Sequence, residues 1–573
     1  MKWTRWMWGR LVLYSLPAAL TAQALRISVY TPASTVNKYL STPGDRAKAA
    51  AVMARFQVSK IWIEGRRGDQ YVTPELLSAA RDDFRTRGLL VSGGFTTVPG
   101  KTFGVPSNPD TTVGRIWWLN FQAEKTQADI AKFYTENAAI FDEIMVDDFY
   151  ATEDTTPESV KARGDLSWSE YRRKLLVSLI GSAMLKPARA VRPETRVIIK
   201  FPQWYEAFQI RGYDPPGMAA AASQIWVGTE TRNPLTATFG FMAPTAGYIN
   251  FRWLAANAKE KIGGAWFDHL DCTAQNYVDQ AYESVLAGAR ELTLFNLGDL
   301  MQGHPGQPLL IADLPELFGL AEKVRGRAVD GVYYYKPPSS DGMENAYLMD
   351  YLAVIGLPLL PQASYPDGAR VLVLGRHAGA DPQLLSRIRQ HLSRGATLVL
   401  TPALVRMMGK PLADLSGVTV SEKMQAASAD AVDVHGQRLS LAKPLEIDEG
   451  IEAPRGLVEF SAFVNGRPVP LLTARKVGRG RILVWNLFTF ANGGRSLPPR
   501  ELGLPEIPQP LADALRGEVM APLGVRLESP TKVGFYMFGD ARAFYNFRDE
   551  EVEVRLNGKT IKLGANRLLW QSP

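Results

Sequence analysis

The amino-acid sequence predicts a (β/α)8 barrel, followed by a smaller α/β domain and a C-terminal antiparallel β domain. From residue 25 to about residue 299, short apolar runs alternate with amphipathic segments, a pattern typical of parallel strands joined by helices. About eight such runs fall within about 275 residues, which is close to the size of one barrel. From Gly534 to Trp570 the polarity alternates with the period of two that is typical of antiparallel strands.

Eight segments of the first region are strand candidates, and helical patterns separate them. The strand candidates are residues 26–30, 60–64, 89–93, 143–148, 196–201, 224–228, 264–268 and 291–296. The helical patterns include residues 127–141, 167–190, 248–262 and 277–289. A doubly wound open sheet is the alternative fold, because strand number and alternation alone do not establish that the sheet closes.

The region from about residue 325 to residue 508 is predicted to be a separate α/β unit. Its elements are a helix at 345–355, a strand at 370–374, a helix at 381–395, a strand at 396–400 and a closing strand at 479–485. The segment Gly375-Arg376-His377-Ala378-Gly379 follows the first of these strands but lacks the glycine spacing of a dinucleotide fingerprint. We therefore expect no nucleotide cofactor. Near the C-terminus, Asn557-Gly558 predicts a hairpin turn.

The first residues have the pattern of a secretory signal peptide. Three basic residues precede the apolar stretch 11–20, and small residues follow in Ala22-Gln23-Ala24. The apolar stretch is shorter than the roughly 20 residues that a membrane anchor needs. We predict a signal peptide at 1–24, a barrel at 25–325, an α/β domain at 326–510 and a β domain at 511–573. The mature protein is expected in the periplasm or outside the cell, with no membrane association.

Composition excludes several classes of protein. Cys272 is the single cysteine, so neither an internal disulfide nor a cysteine-based metal cluster can form. The net charge of +7 is spread thinly, without a basic run interleaved with aromatics, so nucleic-acid binding is not expected. The five histidines show no metal-ligand spacing, and no Gly-x-Ser-x-Gly motif occurs at a strand-to-helix turn. The sequence therefore predicts neither a metal nor another cofactor.

Polar side chains collect where the predicted barrel strands end, which is where barrel active sites lie. Asp147 and Asp148 follow the fourth strand, and Glu230 and Asp268 follow the sixth and seventh. Glycoside hydrolysis requires two carboxyl groups, so this set predicts that chemistry. Asp148, Glu230 and Asp268 are the candidate catalytic residues. The structural alternatives are that an aspartate caps the following segment, that Glu230 pairs with Arg232, and that Asp268 pairs with a neighbouring cation.

Aromatic side chains near the strand ends favour a carbohydrate site, since their rings can stack on the apolar faces of sugars. They are Trp117, Trp118, Tyr150, Trp204, Tyr205, Trp226, Trp253 and Trp266. Trp226 and Trp266 lie inside apolar strands and are expected to pack between barrel and helices. The predicted substrate-binding residues are Glu64, Arg66, Asp147, Tyr150, Lys200, Trp204, Tyr205, Arg232, Trp253 and Asn296.

The order of a barrel, a flavodoxin-like α/β domain and a small β domain resembles the family 42 glycoside hydrolases, three-domain β-galactosidases of clan A. The resemblance implies that Asp148 is the acid/base, that Asp268 is the nucleophile, and that the middle domain mediates self-association. The alternative for the middle domain is a rigid wall beside the barrel mouth. A weaker resemblance to the α-galactosidase clan implies instead that Asp148 is the nucleophile and Glu230 the acid/base. Both imply that the anomeric configuration is retained.

Together these features predict a secreted glycoside hydrolase that acts on an oligo- or polysaccharide. Two other classes of protein remain open. One is a carbohydrate-binding protein on a barrel without catalysis. The other is a polysaccharide deacetylase or hydrolase that uses a metal held by the acidic residues.

Overall fold

The first domain is a closed barrel of eight parallel strands. The computed structural model of the protein describes residues 25–108, 118–236, 242–490 and 503–572, so the predicted signal peptide and Trp117 lie outside the described residues. The strands are β1 (Arg26–Thr31), β2 (Val58–Glu64), β3 (Leu90–Phe95), β4 (Glu143–Val146), β5 (Arg196–Phe201), β6 (Gln224–Gly228), β7 (Ile262–Asp268) and β8 (Glu291–Phe295). Each strand pairs with the next, and β8 pairs with β1. Closure confirms the predicted (β/α)8 barrel and excludes the open sheet.

Helices connect successive strands around the outside of the barrel. They are Ala33–Tyr39, Pro43–Arg55, Pro74–Thr86, Glu124–Ala138, Pro157–Arg163, Trp168–Leu179, Lys186–Val191, Phe208–Arg211, Pro215–Ala221, Ala246–Ala258, Ala274–Leu286, Leu297–Gln302 and Gly306–Val324. Local sequence fixes several starts: Thr73 caps the helix that begins at Pro74, and Ser167 forms a capping box with Glu170. None of the helices in the described ranges has the length and apolarity needed to cross a bilayer.

The helix predicted over residues 167–190 is interrupted. A wide π-helical turn, Ile180–Leu185, separates Trp168–Leu179 from Lys186–Val191. Pro187 lies just beyond that turn and has no N–H to donate to the preceding turn, so the regular hydrogen-bond ladder cannot continue there.

The barrel interior is filled by large side chains. Tyr30, Trp62, Met145, Ile198, Trp226 and Trp266 form one buried cluster. Trp226 and Trp266 were expected between barrel and helices, but they occupy inward-facing strand positions, and their neighbours Val227 and Phe267 belong to the separate outer core. Because these side chains fill the interior, the candidate active site lies above them, at the C-terminal ends of the strands.

The second domain contains a nine-stranded sheet. Its strands are β9 (Val332–Tyr335), β10 (Leu359–Gln362), β11 (Val371–Leu374), β12 (Thr397–Leu400), β13 (Ala426–Val434), β14 (Gln437–Asp448), β15 (Val458–Val464), β16 (Arg467–Val477) and β17 (Gly480–Trp485). The order is β10-β9-β11-β12-β17-β16-β15-β13-β14. The first five in this order are parallel and follow the chain as 2-1-3-4-5, the order of flavodoxin-like sheets. Its helices are Leu348–Val354, Leu384–Ser393, Pro402–Met408 and Lys410–Ser416.

The last four strands of that sheet, β13 to β16, are antiparallel additions that the sequence reasoning missed. A signal for one of the hairpins was present, because Asn465-Gly466 joins β15 to β16 with positive φ at both residues. The same dipeptide at Asn557-Gly558 predicted a C-terminal hairpin. That hairpin is present, between Val552–Leu556 and Lys559–Leu563.

The C-terminal domain follows the helix Gln509–Met520 and contains two small sheets. One contains Val533–Phe538, Ala541–Asn546 and Leu568–Gln571, and the segment Val329–Asp330 pairs with its first strand. The other consists of Leu527–Glu528 and the Asn557-Gly558 hairpin. The sheet that contains Val329–Asp330 therefore joins the end of the barrel to the end of the chain.

Candidate active site

The last residue of β2, Glu64, places a buried carboxyl at the rim of the barrel. The side chain of Glu64 accepts hydrogen bonds from the Tyr30 hydroxyl at 2.9 Å, from the backbone N–H of Ala33 at 2.8 Å and from Arg67 at 2.8 Å. Burial raises the pKa of Glu64 despite the charge of Arg67. Arg67 also donates to Asp147 Oδ2 at 2.6 Å, so it ties the end of β2 to the end of β4.

Two aspartates follow β4 and differ in their surroundings. Asp147 lies between Arg67 and Lys200 and accepts a hydrogen bond from the backbone N–H of Asp148 at 2.8 Å. Burial alone would raise the pKa of Asp147, but the two cations outweigh it and hold the pKa below its usual value. Asp147 is therefore an ionised carboxylate. The side chain of Asp148 is 19% exposed and reaches the mouth of the site.

Lys200, on β5, joins the acids at the centre of the rim. Its Nζ lies 2.5 Å from Asp148 Oδ2, 2.8 Å from Glu230 Oε1 and 3.8 Å from Asp147 Oδ1. Burial opposes its charge, but the three carboxyls outweigh burial and hold the pKa of Lys200 above its usual value. The ammonium lies 4.7 Å from the ring centroid of Trp266, so the lysine contacts the aromatic side chains that fill the barrel.

The carboxyl of Asp148 is poised to hold a proton near neutral pH. Burial, together with the negative charges of Asp147 and Glu230, outweighs the attraction of Lys200 and raises the pKa of Asp148 to about 7. Carboxyl groups with pKa values in this range are the ones that serve as general acids at neutral pH.

Glu230 presents one engaged and one free oxygen. Oε1 lies on Lys200, whereas Oε2 is buried and has no hydrogen-bond partner among the described residues. A Cβ atom on Gly228 would come within 2.3 Å of Oε2. Gly228 lies two residues after the inward-facing Trp226, so the missing side chain makes room for the carboxyl above the barrel interior. Burial and the charge of Asp268 raise the pKa of Glu230 despite Lys200.

Asp268, at the end of β7, is held in a bidentate ion pair. Arg232 donates to its two oxygens at 3.1 and 2.8 Å, and the backbone N–H of Leu270 donates to Oδ1 at 3.0 Å. Arg232 adopts a left-handed conformation, with φ of 55°, which turns its side chain back toward β7. Both carboxylate oxygens of Asp268 are therefore occupied by donors.

The described part of this rim carries more carboxyls than cations. The carboxyls are Glu64, Asp147, Asp148, Glu230 and Asp268, and the paired cations are Arg67, Lys200 and Arg232. Full ionisation would leave two buried negative charges uncompensated, which is costly in a site of low polarity. Asp148 and Glu230 share one lysine and both have a raised pKa, so this pair holds a proton more readily than Asp147, whose pKa is lowered.

Three rings, Trp118, Trp204 and Tyr213, form an aromatic wall that contacts Asp148 through the hydroxyl of Tyr213. Trp204, in the loop after β5, is half-buried and packs edge-on against Trp118 and Tyr213, with centroid distances of 6.4 and 5.5 Å. The Tyr213 hydroxyl donates to the main-chain oxygen of Asp148 at 2.8 Å. Sequence reasoning missed Tyr213, which carries no local signal because it lies several residues beyond the strand end.

Five predicted substrate-binding residues have structural partners instead of a place at the mouth. The Tyr150 hydroxyl donates to the main-chain oxygen of Leu176, and buried Arg66 donates to three main-chain oxygens. Tyr205 and Trp253 are buried against the second domain, where they donate to Asp350 and to the main-chain oxygen of Lys336. Asn296 caps the helix Leu297–Gln302.

The remaining predicted residues are brought together. Asp147, Asp148, Lys200 and Glu230 form one connected network, with Glu64 attached through Arg67. The Arg232–Asp268 pair is close enough for both charges to act on the pKa of Glu230, and Trp204 packs on Tyr213, which contacts the backbone of Asp148. Within the described ranges, no three His, Cys, Asp or Glu side chains are arranged to hold a metal ion.

The fold and the site together define a (β/α)8-barrel protein with a network of buried carboxyls at the C-terminal rim. Residues 16–308 match the family model described as "Probable glycosyl hydrolase, catalytic domain", and the chain belongs to this family. Residues 331–437 match the model described as the second domain of the uncharacterized protein SSO3021.

SSO3021 itself, from Saccharolobus solfataricus, is 26% identical over 269 residues, which are 41% of this chain and 44% of that protein. The matched part thus spans less than half the length of that relative.

Solved structures share the whole architecture at low sequence identity. The β-galactosidase of Rahnella sp. R3 is 12% identical and has a TM-score of 0.62, with 96% of this chain and 98% of that chain covered. A catalytic mutant of Gan42B, the family 42 β-galactosidase of G. stearothermophilus, is 11% identical with a TM-score of 0.63, covering 96% and 98%. The α-L-fucosidase isoenzyme 2 of Paenibacillus thiaminolyticus is 12% identical with a TM-score of 0.63, covering 93% of each chain. These similarities confirm the predicted fold class.

Proposed function

We propose that this protein is a secreted glycoside hydrolase that cleaves O-glycosidic bonds of an oligo- or polysaccharide with Asp148 and Glu230. The observation that supports this most is that both carboxyls contact the same buried ammonium, that of Lys200, at 2.5 and 2.8 Å. A single lysine cannot neutralise two carboxylates, so one of the pair keeps a proton. One protonated and one ionised carboxyl is the combination that glycoside hydrolysis requires.

The separation of the two carboxyls favours retention of configuration. Because Asp148 Oδ2 and Glu230 Oε1 contact the same Nζ, these two oxygens cannot be more than about 5.3 Å apart. Retaining enzymes place their carboxyls about 5 to 5.5 Å apart, whereas inverting enzymes need about 6.5 to 9.5 Å to admit a water molecule.

Asp148 is assigned as the acid/base and Glu230 as the nucleophile. In the first step, protonated Asp148 gives its proton to the glycosidic oxygen while an oxygen of Glu230 bonds to the anomeric carbon, and the leaving group departs as an alcohol. In the second step, ionised Asp148 takes a proton from water, the water oxygen bonds to the anomeric carbon, and Glu230 leaves as a carboxylate.

Asp268 is assigned a supporting role. The family 42 resemblance implies that it is the nucleophile, but its two oxygens accept three hydrogen bonds, two of them from Arg232. Glu230 has an oxygen, Oε2, for which the described part of the chain provides no such partner. The charges of Asp268 and Arg232 then act in opposite directions on the pKa of Glu230, which Asp268 raises and Arg232 lowers.

The proposed roles are tested by trapping. Aryl β-galactosides, β-mannosides and α-L-fucosides are screened first, since sugars of these types are named for the structural neighbours. The 2-deoxy-2-fluoro analogue of the active sugar is then used to trap the covalent intermediate, and peptide mass spectrometry locates the label. We expect the label on Glu230. A label on Asp268 would reassign the nucleophile, and proton NMR showing a first product of inverted configuration would reject a covalent intermediate.

Glycan binding without release of reducing sugar, at high protein concentration and over long incubation, would favour the non-catalytic alternative. Loss of activity with a chelator would favour the metal-dependent one.

Secretion and self-association belong to the same proposal. Cleavage after Ala24 predicts a mature N-terminus at Leu25, which N-terminal sequencing of periplasmic or secreted protein tests. Self-association through the second domain predicts an oligomer at micromolar concentration, and light scattering that showed a monomer would contradict it.

A further inference from the structure

The second domain holds a barrel carboxylate in the position where flavodoxin-like domains hold ligands. In open sheets of order 2-1-3-4-5, ligands bind beyond the carboxyl ends of the strands, at the point between the first and third strands where the strand order reverses. Here those strands are β9 and β11. Lys336 follows β9 and His377 follows β11, and both face Glu206 of the barrel.

Both carboxylate oxygens of Glu206 have partners in the second domain. His377 Nε2 lies 2.9 and 3.0 Å from its two oxygens, the backbone N–H of Tyr347 donates to Oε1 at 3.2 Å, and Lys336 Nζ lies 3.8 Å from Oε2. Glu206 is 1% exposed and His377 is fully buried. The Tyr334 hydroxyl lies 3.1 Å from His377 Nδ1, which fixes the ring so that Nε2 faces the carboxylate.

The electrostatics agree with this geometry. Burial alone would raise the pKa of Glu206, but His377 and Lys336 outweigh it and hold the pKa below its usual value. Burial lowers the pKa of His377 despite Glu206. An Nε2–H of His377 that donates to an ionised Glu206 satisfies both groups.

Glu206 lies in the loop that carries the aromatic wall. Lys200, near the end of β5, fixes one end of this loop within the carboxyl network, and Glu206 fixes the other end to the second domain. Trp204 lies between these two anchors, against Tyr213, whose hydroxyl contacts the backbone of Asp148. Tyr205 strengthens the same attachment through Asp350 at 2.8 Å.

We infer that the second domain uses its ligand crevice as a receptor for Glu206, and that His377 is a positioning residue that sets Trp204 in the wall of the active site. The inference rests on the proposed function for the role of Trp204. The attachment of the loop itself does not depend on it.

The chain offers a matched control in His391. This histidine is also buried in the second domain, with the Tyr365 hydroxyl 3.0 Å from Nδ1, but its Nε2 faces the main-chain oxygen of Ala369 within the same domain. His391→Ala removes a comparable buried ring without touching the barrel. His377→Gln keeps a donor that can reach Glu206, whereas His377→Ala removes it.

The first experiment is hydrogen–deuterium exchange over residues 202–211 of the full-length protein. We expect faster exchange there in His377→Ala and in Glu206→Gln, exchange near that of the wild type in His377→Gln, and no local change in His391→Ala. Equal protection of residues 202–211 in His377→Ala and His391→Ala would overturn the inference. Glu206→Gln provides the same comparison if His377→Ala does not fold. This readout requires no substrate, so it stands even if the proposed hydrolysis fails.

The second experiment uses the aryl glycoside found active in the screen. His377→Ala should raise KM and lower kcat/KM by about 10- to 100-fold, because a displaced wall weakens sugar binding and orientation. His377→Gln should restore most of the loss, and His391→Ala should leave KM unchanged even where it lowers Tm. A purely structural role for His377 would instead lower Tm in both alanine variants and leave both KM values alike.

Discussion

The ammonium of Lys200 lies 2.5 Å from Oδ2 of Asp148. The lysine side chain is 2% exposed, so its charge has little access to water and depends on the carboxyls around it. Since it is shared with Glu230, it stabilises one negative charge well and a second one poorly. This arrangement sets the protonation of the site and leads to the first two predictions.

Replacement of Asp148 should abolish most of the activity. Asp148→Asn keeps the size of the side chain but can neither give a proton to the leaving oxygen nor take one from water, so kcat should fall about 10²- to 10⁴-fold. Asp142→Asn is the control, because Asp142 precedes the same strand at its other end and its side chain is 51% exposed. Near wild-type turnover of Asp148→Asn on the active sugar would reject the site assignment.

The pH profile should report the proton on Asp148. Because the first step needs the protonated form and burial raises the pKa of Asp148 to about 7, kcat/KM should fall as pH rises through about 7. Lys200→Met removes the charge that lowers this pKa, so the alkaline limb should move up by about 1 to 3 pH units in whatever activity remains. An unmoved or downward-shifted limb would assign it to another group.

A single methyl group at Gly228 should disturb Glu230. In Gly228→Ala the new Cβ would lie 2.3 Å from Glu230 Oε2 and 3.1 Å from the main-chain oxygen of Phe201, so the carboxyl must move. We expect kcat/KM to fall about 100-fold. Gly319→Ala is the control, because that helical glycine has no neighbour within 4 Å of the new atom and should gain about 0.5 to 1 kcal/mol of stability. Unchanged activity in Gly228→Ala would contradict the role of Glu230.

The contact between the barrel and the C-terminal domain should weaken in alkali. Glu283 faces Tyr536 of that domain, and burial raises the pKa of Glu283 to about 8. The folded state therefore holds this proton more tightly than the unfolded chain, so stability should decrease as pH rises from about 4 to about 8, by about 3 to 5 kcal/mol for this group.

Glu283→Gln cannot ionise and should be more stable than the wild type at pH 9, with little difference at pH 4. Thermal unfolding across this pH range measures the effect. A wild type whose stability rises steadily toward pH 9 relative to Glu283→Gln would be incompatible with a raised pKa.

The barrel strands were predictable because parallel strands buried on both faces produce apolar runs that end in polar residues. All eight strands lie within a few residues of their predicted positions, and Asp148, Glu230 and Asp268 stand at the expected rim. These features depend on local sequence and on the rule that places barrel sites at the C-terminal ends of strands.

The partners of the rim residues were not predictable in the same way. Lys200 was expected to bind substrate, but its nearest partners are two carboxyls that lie 52 and 30 residues away along the chain. Tyr205 follows a strand as an aromatic site would require, and Trp253 lies in the helix Ala246–Ala258, yet both face the second domain. The direction in which a loop side chain points depends on which domain packs over it, and no local pattern records that contact.

The pairing of Val329 with Phe538 determines when this protein can complete its structure. The two residues lie on neighbouring strands, but the whole second domain separates them along the chain. The second domain is therefore an insertion between two strands of one small sheet. The entropy cost of such a loop grows only slowly with its length, so shortening or enlarging this excursion should cost the shared sheet little. During synthesis, however, the strand at Val329 leaves the ribosome long before its partner, and the two strands cannot pair until the whole second domain and Phe538 have also emerged.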